Sequence, residues 1–460
     1  MSNVTVSSSL PNQRLIAKPI GLTSLLQSGL SLLLLAVPFH SVLILPGVSV
    51  VKAIGLVLAP IWLIWLVVRL GESRWSWTVP RRNIRIILSL AALIVSILLS
   101  TFYDSMSPIF RTSLTTLVLG SGIAIFIWTL VSSELFLRRA YACLAAGSTI
   151  LGLLVILQFV APQEITRVLR ARIFLETVGE TTVVRATGPF RDPNYGALTL
   201  IVLACLSFYL ALTCQRHWQR AALFLSVAVQ VVAVLLTFSR AGYITLALVG
   251  ATVLWRERYR LRIWKVALVS VLGVVLLATI GGGILDLIAV RTRTVIEFAQ
   301  LVREEPGQAS QVDLSLWYRF QLLRAGIRMA FDRFPLGVGW ENFRYRVTQY
   351  SEGVPEQGAH NTYVAIAAEL GLPGLIVLAW LLWGLWRSTA HLCKNGKEKI
   401  GLLARGVRCG LLAVLIDGLF LTVLHEAVVW ALIGLIMAQN QIVLNAVKKE
   451  KISVTERKAS

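Results

Sequence analysis

The chain has 460 residues, of which 56% are hydrophobic and 15% charged, with a formal net charge of +21 and a mean hydropathy of +0.74. Soluble domains carry about 25% charged residues, so this composition excludes a soluble globular protein and reads as an integral membrane protein with many spans. The positive charge lies in short loops between apolar runs, where loop orientation and anionic headgroups account for it and nucleic acid is not implied.

Residues 1–24 are polar and include Arg14 and Lys18. They lack a small-residue cleavage site after a short apolar core, so the first apolar run reads as a retained span. A membrane crossing needs about 20 apolar residues. About twelve runs approach this, near 25–45, 48–68, 86–103, 113–131, 142–161, 195–213, 220–238, 241–255, 264–282, 362–386, 403–422 and 427–445, the eighth being short. The expected fold is an all-α polytopic membrane protein of about twelve transmembrane helices.

Placing the N-terminus inside makes every inner loop basic. The 69–85 loop holds Arg69, Arg74, Arg81, Arg82 and Arg85, and the tail holds Lys448, Lys449 and Lys451. This satisfies the positive-inside rule with both termini cytoplasmic. The expected organisation is a tail at 1–24, nine spans within 25–282 with an outer loop at 162–194, a large outer loop at 283–361, three spans within 362–445, and a tail at 446–460. None of the five cysteines lies in the large outer loop, and none has metal-ligand spacing, so no disulfide framework is expected.

The two long outer loops carry arginines against the orientation rule, which asks for a reason, and anion binding is a physical one. The first ends in Arg185-Ala186-Thr187-Gly188-Pro189-Phe190-Arg191-Asp192-Pro193-Asn194, a compact turn before a span. Guanidinium forks bind phosphate oxygens in pairs; headgroup snorkelling is the plain alternative. Ser239-Arg240-Ala241-Gly242 joins two spans so tightly that Arg240 sits at the membrane edge, where a charge is costly unless paired or wet.

In the second loop, Asp313 could cap a helix running to about Phe334. Its apolar stripe of Leu314, Trp317, Phe320, Leu323 and Ile327 is interleaved with Arg319, Arg324 and Arg328. This is an amphipathic helix for the outer membrane interface. Pro335 ends it, and Gly337-Val338-Gly339 turns the chain.

His360 then closes the loop at the lip of a span, followed by Asn361, Gly371 and Gly374. An imidazole titrates near pH 6.5 and can take a proton from a hydroxyl near neutral pH. His425, beside Glu426 in the last outer turn, is a candidate to support His360 or bind an acceptor. Asp417 is an intramembrane carboxylate that could pair with an arginine or line a polar cavity. His40, His217 and His391 look incidental. The chain has no paired aspartates for a metal-bound nucleotide sugar, no nucleotide-binding glycine loop and no zinc spacing.

These stretches resemble the O-antigen ligase and polymerase superfamily of bacterial membrane glycosyltransferases. Arg185 to Asn194, Ser239 to Gly242, Trp317 to Phe343, and His360-Asn361 with Gly371 and Gly374 carry the resemblance. It implies a fold like that of the C-type membrane glycosyltransferases and a site on the periplasmic face of the bacterial inner membrane. It also implies transfer of a glycan from a polyprenyl diphosphate carrier to a hydroxyl acceptor, without metal or other cofactor. In a ligase the acceptor is lipid A-core; in a polymerase it is another lipid-linked repeat unit. His360 would be the general base. Arg185, Arg191, Arg240 and Arg319 would hold the diphosphate, with Asn194, Asn361 and His425 supporting or binding the acceptor. A solute transporter, such as one for inorganic carbon, and a non-catalytic assembly partner are the rival readings. Transporters place their polar sites near the midplane, whereas the groups here gather at one face.

Overall fold

The computed structural model describes residues 21–45, 47–71, 78–100, 109–169, 174–178, 181–258 and 314–459, with a few isolated positions between 293 and 302. The helices are α1 Leu22–Ala36, α2 Val50–Gly71, α3 Arg81–Ser100, α4 Phe110–Leu130, α5 Glu134–Val160, α6 Pro162–Leu169, α7 Pro193–Thr213, α8 His217–Leu236, α9 Arg240–Glu257, α10 Leu314–Asp332, α11 Phe343–Tyr350, α12 Thr362–Asn395, α13 Glu398–Asp417 and α14 Ala427–Ala459. Two small antiparallel ribbons join them: β1 Leu43–Leu45 with β2 Val48–Ser49, and β3 Phe174–Val178 with β4 Thr181–Arg185.

Among the described residues, nine helices are long and apolar enough to cross a membrane, and the protein is a polytopic membrane protein. They are α1 to α5, α7, α8, α12 and α14. Helices α9 and α13 lie where the eighth and eleventh runs were expected but are shorter or carry more charge. The expected span at 264–282 lies outside the described residues. Hydropathy also decides depth. Helices α7 and α14 bury most of their apolar windows and form the centre of the bundle, whereas α2 turns most of its surface outward.

The long outer segments have structure of their own. The 162–194 loop folds into α6 and the β3–β4 hairpin, then enters α7 through Asp192. That side chain caps the helix by accepting from the Asn194 amide at 2.8 Å, with Pro193 in the first turn. Helix α10 forms over the expected stretch, although Asp313 lies outside the described residues. Its packing face is not the large-residue stripe. Leu322, Ala325, Gly326 and Met329 are buried against α11 and α12, while Leu314, Leu323 and Ile327 stay exposed. Ala325 and Gly326 allow close approach to α12, and Leu314, Leu323 and Ile327 remain for the bilayer edge.

Helix α12 breaks at Gly371, which has φ 62° and ψ −153°. The Pro335–Gly339 turn sits in the break. Leu372 N donates to Pro335 O at 2.8 Å, Val338 N to Ala368 O at 2.8 Å, and Gly339 N to Glu369 O at 2.9 Å. The turn thus takes up backbone groups that the broken helix leaves open. A side chain at Gly371 would collide with the Pro335 carbonyl. This clasp fixes α10 against the start of α12 and so sets Arg319 relative to His360.

Candidate active site

His360 stands at the entrance of α12 with φ +47°. Its neighbour Asn361 caps the helix: Oδ1 accepts from the Tyr363 and Val364 amides at 3.0 Å each, and Nδ2 donates to Leu419 O at 2.9 Å. The amide of Asn361 is therefore committed to the backbone, and the residue positions His360. Thr362 adds a second tie, its amide donating to Gly418 O at 2.8 Å and its hydroxyl to Leu421 O at 2.6 Å.

Three non-glycine residues among those described adopt left-handed backbone: Phe238, Glu341 and His360. Each costs roughly 1–3 kcal/mol, and such strain gathers at functional sites. Phe238 immediately precedes Ser239-Arg240, and the other two line the cavities described next.

His360 and Ala359 form the partition between two cavities. The first, of about 280 Å³, takes Arg185 from the end of β4, Arg240 from the first turn of α9 and Arg319 from α10. Its remaining wall is largely apolar and includes Ile244, Leu316, Phe320 and Leu323. The second, of about 440 Å³, is lined by Arg191, Tyr195, Glu341, Arg344 and His425, with Ser113, Thr116 and Thr422. Sequence spacing grouped four arginines; the fold brings Arg185, Arg240 and Arg319 together and puts Arg191 across the partition.

The positioning is local. Arg185 Nε donates to Thr237 O at 3.2 Å, which ties β4 to the end of α8. The Ser239 hydroxyl donates to Asn194 Oδ1 at 2.5 Å while accepting from the Gly242 amide at 3.0 Å, so it caps α9 beside Arg240. Asn194 Nδ2 donates to Asp192 Oδ1 at 2.7 Å. Asn194 is thus the joint between the Arg185–Asn194 turn and the Ser239–Gly242 turn, with its side chain held from both ends.

Burial and the Arg319 guanidinium hold the His360 imidazole below its ordinary value, with Asp192 opposing them. The ring is neutral at neutral pH, the state a proton acceptor requires. Its Nδ1 has no hydrogen-bond partner among the described residues.

His425 pairs with Glu341: its Nε2 lies 2.9 Å from Glu341 Oε1, and both line the second cavity along with His360. Burial would raise the Glu341 carboxyl, but the hydrogen bond and charge of His425, with Ser113 and Arg344, bring it below the usual range. Glu341, Arg344 and Tyr195 were not singled out in the sequence. Glu341 lies between the glycine turn and α11, where only its left-handed backbone distinguishes it. His40, which looks incidental in the sequence, is half-buried, 3.1 Å from Glu426 Oε2 and edge-on to Phe190 at 5.4 Å. Asp417 accepts from the Thr245 hydroxyl at 2.9 Å.

Residues 223–379 match the family model described as O-antigen ligase. That segment, about a third of the chain, is similar to the O-antigen ligase family. The matched segment runs from α8 into α12, so Arg240, Arg319, His360 and Asn361 lie inside it, and Arg185, Arg191, Asn194 and His425 lie outside it. No curated protein matches the chain. The family and the apolar helices together support a membrane protein of glycosyltransferase type.

Proposed function

We propose that this protein transfers a glycan from a polyprenyl diphosphate carrier to a hydroxyl acceptor at the periplasmic face of the bacterial inner membrane. Lipid A-core is the acceptor we favour, in keeping with the description of the matched family. The observation that carries the reading is the partition: a neutral imidazole between an arginine cavity with apolar walls and a polar cavity.

The donor diphosphate enters the first cavity. Arg185, Arg240 and Arg319 neutralise the charge that grows on it as the glycosidic bond breaks. The apolar wall from α9 and α10 takes the first isoprene units. The acceptor hydroxyl enters from the second cavity. His360 accepts its proton as the oxygen attacks the anomeric carbon, and the bonding pair of the leaving C–O bond goes to the diphosphate. Direct displacement from the opposite side inverts the anomeric centre. Arg191, Glu341 and His425 are placed to orient the acceptor sugar.

The deciding experiment is an envelope-glycan gel on a deletion strain complemented with wild type or His360→Ala. Loss of all attached glycan, with lipid-linked polymer accumulating, supports a ligase. Retention of one attached repeat reassigns the protein as a polymerase. An unchanged ladder in the deletion strain overturns both for that glycan.

A further inference from the structure

The opposite end of the bundle holds a feature that glycan transfer does not use. Between the first turn of α3 and the last turns of α12 lies a cavity of about 790 Å³. Arg81, Arg82 and Arg85 line it from α3, and Arg387 and Lys394 from α12. A second cavity of about 430 Å³ adjoins it through Arg81, Arg82 and His391 and adds Lys448 from α14. Among the described residues, no aspartate or glutamate lines either one.

The positive-inside rule accounts for basic residues on this face, but not for their convergence on one concave surface without acids. Like charges so gathered repel one another unless an anion sits among them. The amides of the first turn of α3 open at the same place, which adds partial positive charge. The rest of the wall points to a bilayer. Trp380 and Trp383 are 40% and 60% exposed, and the Arg387 guanidinium lies over the Trp383 ring at 5.5 Å from its centroid. Indoles mark the headgroup level. One turn deeper, Ile84, Ile87 and Leu88 of α3 are exposed, as lipid-facing residues are.

We propose that these adjoining cavities bind the headgroup of an anionic phospholipid in the leaflet opposite the transfer site. Arg82, Arg85 and Arg387 take a phosphate, and the acyl chains run along the exposed faces of α3 and α12. Two basic cavities that share Arg81 and Arg82 suit a headgroup with two phosphates better than one with a single phosphate.

The test is native mass spectrometry of the detergent-purified full chain, titrated with diphosphatidylglycerol, phosphatidylglycerol or phosphatidylcholine. The expected order is that sequence, with the first at least about tenfold tighter than the last. Replacing three cations by Arg82→Gln, Arg85→Gln and Arg387→Gln should weaken anionic-lipid binding by roughly 100-fold. The corresponding triple lysine variant should keep most of it. Equal binding of phosphatidylcholine overturns the proposal, as does undiminished binding by a glutamine variant that melts like wild type. Should the glutamine variant fail to fold, salt decides with wild type: lipid release on raising salt supports the site, and salt-insensitive binding overturns it. Thermal protection by millimolar inorganic phosphate equal to that by the lipid would assign the cavity to soluble phosphates instead and also overturn it.

Discussion

Arg319 and His360 share one cavity wall, and the guanidinium helps hold the imidazole in its neutral form. The consequence for pH is direct. Protonation removes the base, so transfer should be flat near neutrality and decline only below the ordinary imidazole value of about 6.5. Arg319→Gln removes a charge that lowers the His360 value, so the acid limb should move to higher pH. Asp192→Asn should move it the other way. Single-turnover transfer rates across pH 5–8 in reconstituted membranes check both signs; a limb that does not move with Arg319→Gln counts against the assignment.

His360→Ala should reduce transfer by roughly 10²–10⁴-fold, the usual range for loss of a general base. Donor binding should survive, because the proposed contacts of the diphosphate are the three arginines and not His360. Retained binding of lipid-linked glycan with lost transfer would separate the two roles. Transfer at the wild-type rate would sink the general-base role.

Arg240→Gln should act on the donor instead. Losing a charge-assisted contact of about 1.5–3 kcal/mol corresponds to roughly 10- to 100-fold weaker donor binding. Arg191→Gln lies on the other side of the partition, so it should raise the acceptor KM and leave donor binding unchanged. Equal losses of donor affinity in the two variants would contradict the separation of the cavities.

Gly371→Ala should destabilise the protein by roughly 2–5 kcal/mol, combining backbone strain with overpacking against Pro335. Yield and melting temperature in detergent measure it. Gly384→Ala, on the same helix with open space around it, is the control and should fold normally.

The His40–Glu426 pair makes a stability prediction. Burial opposes the imidazolium, but the Glu426 carboxylate outweighs it and raises the His40 value. Proton binding therefore favours the folded state. The pair's contribution is fully present below about pH 6.5, the unfolded value, and is lost as pH rises through the raised folded value. The melting-temperature gap between wild type and His40→Ala should narrow from pH 6 toward pH 9.

Much of this molecule is legible as a string. Apolar runs of sufficient length specify membrane helices, because every backbone group in a bilayer must be satisfied internally and a helix does so within one segment. Arginines on loops where the orientation rule disfavours them, with a histidine at the lip of a span, drew attention to Arg185, Arg240, Arg319 and His360 for reasons of local charge and desolvation. The resemblance of the motifs to the O-antigen ligase superfamily agrees with the family match over 223–379.

What the string could not hold is which groups meet. The division of the arginines between two cavities depends on how α9, α10 and the Arg185–Asn194 turn pack. That packing rests on hydrogen bonds between distant residues, such as Ser239 with Asn194 and Leu372 with Pro335. The burying face of α10 was hidden because Leu322, Ala325, Gly326 and Met329 form a second apolar stripe beside the bulkier one, and only packing decides which stripe is covered. Glu341, His425 and the His40–Glu426 pair acquire meaning only through partners far away in sequence. Sequence alone marked the apolar segments able to enter a membrane and the side chains that are chemically able, since both follow from local composition. Only tertiary structure decided which able side chains face one another, because those contacts depend on long-range packing that no local pattern encodes.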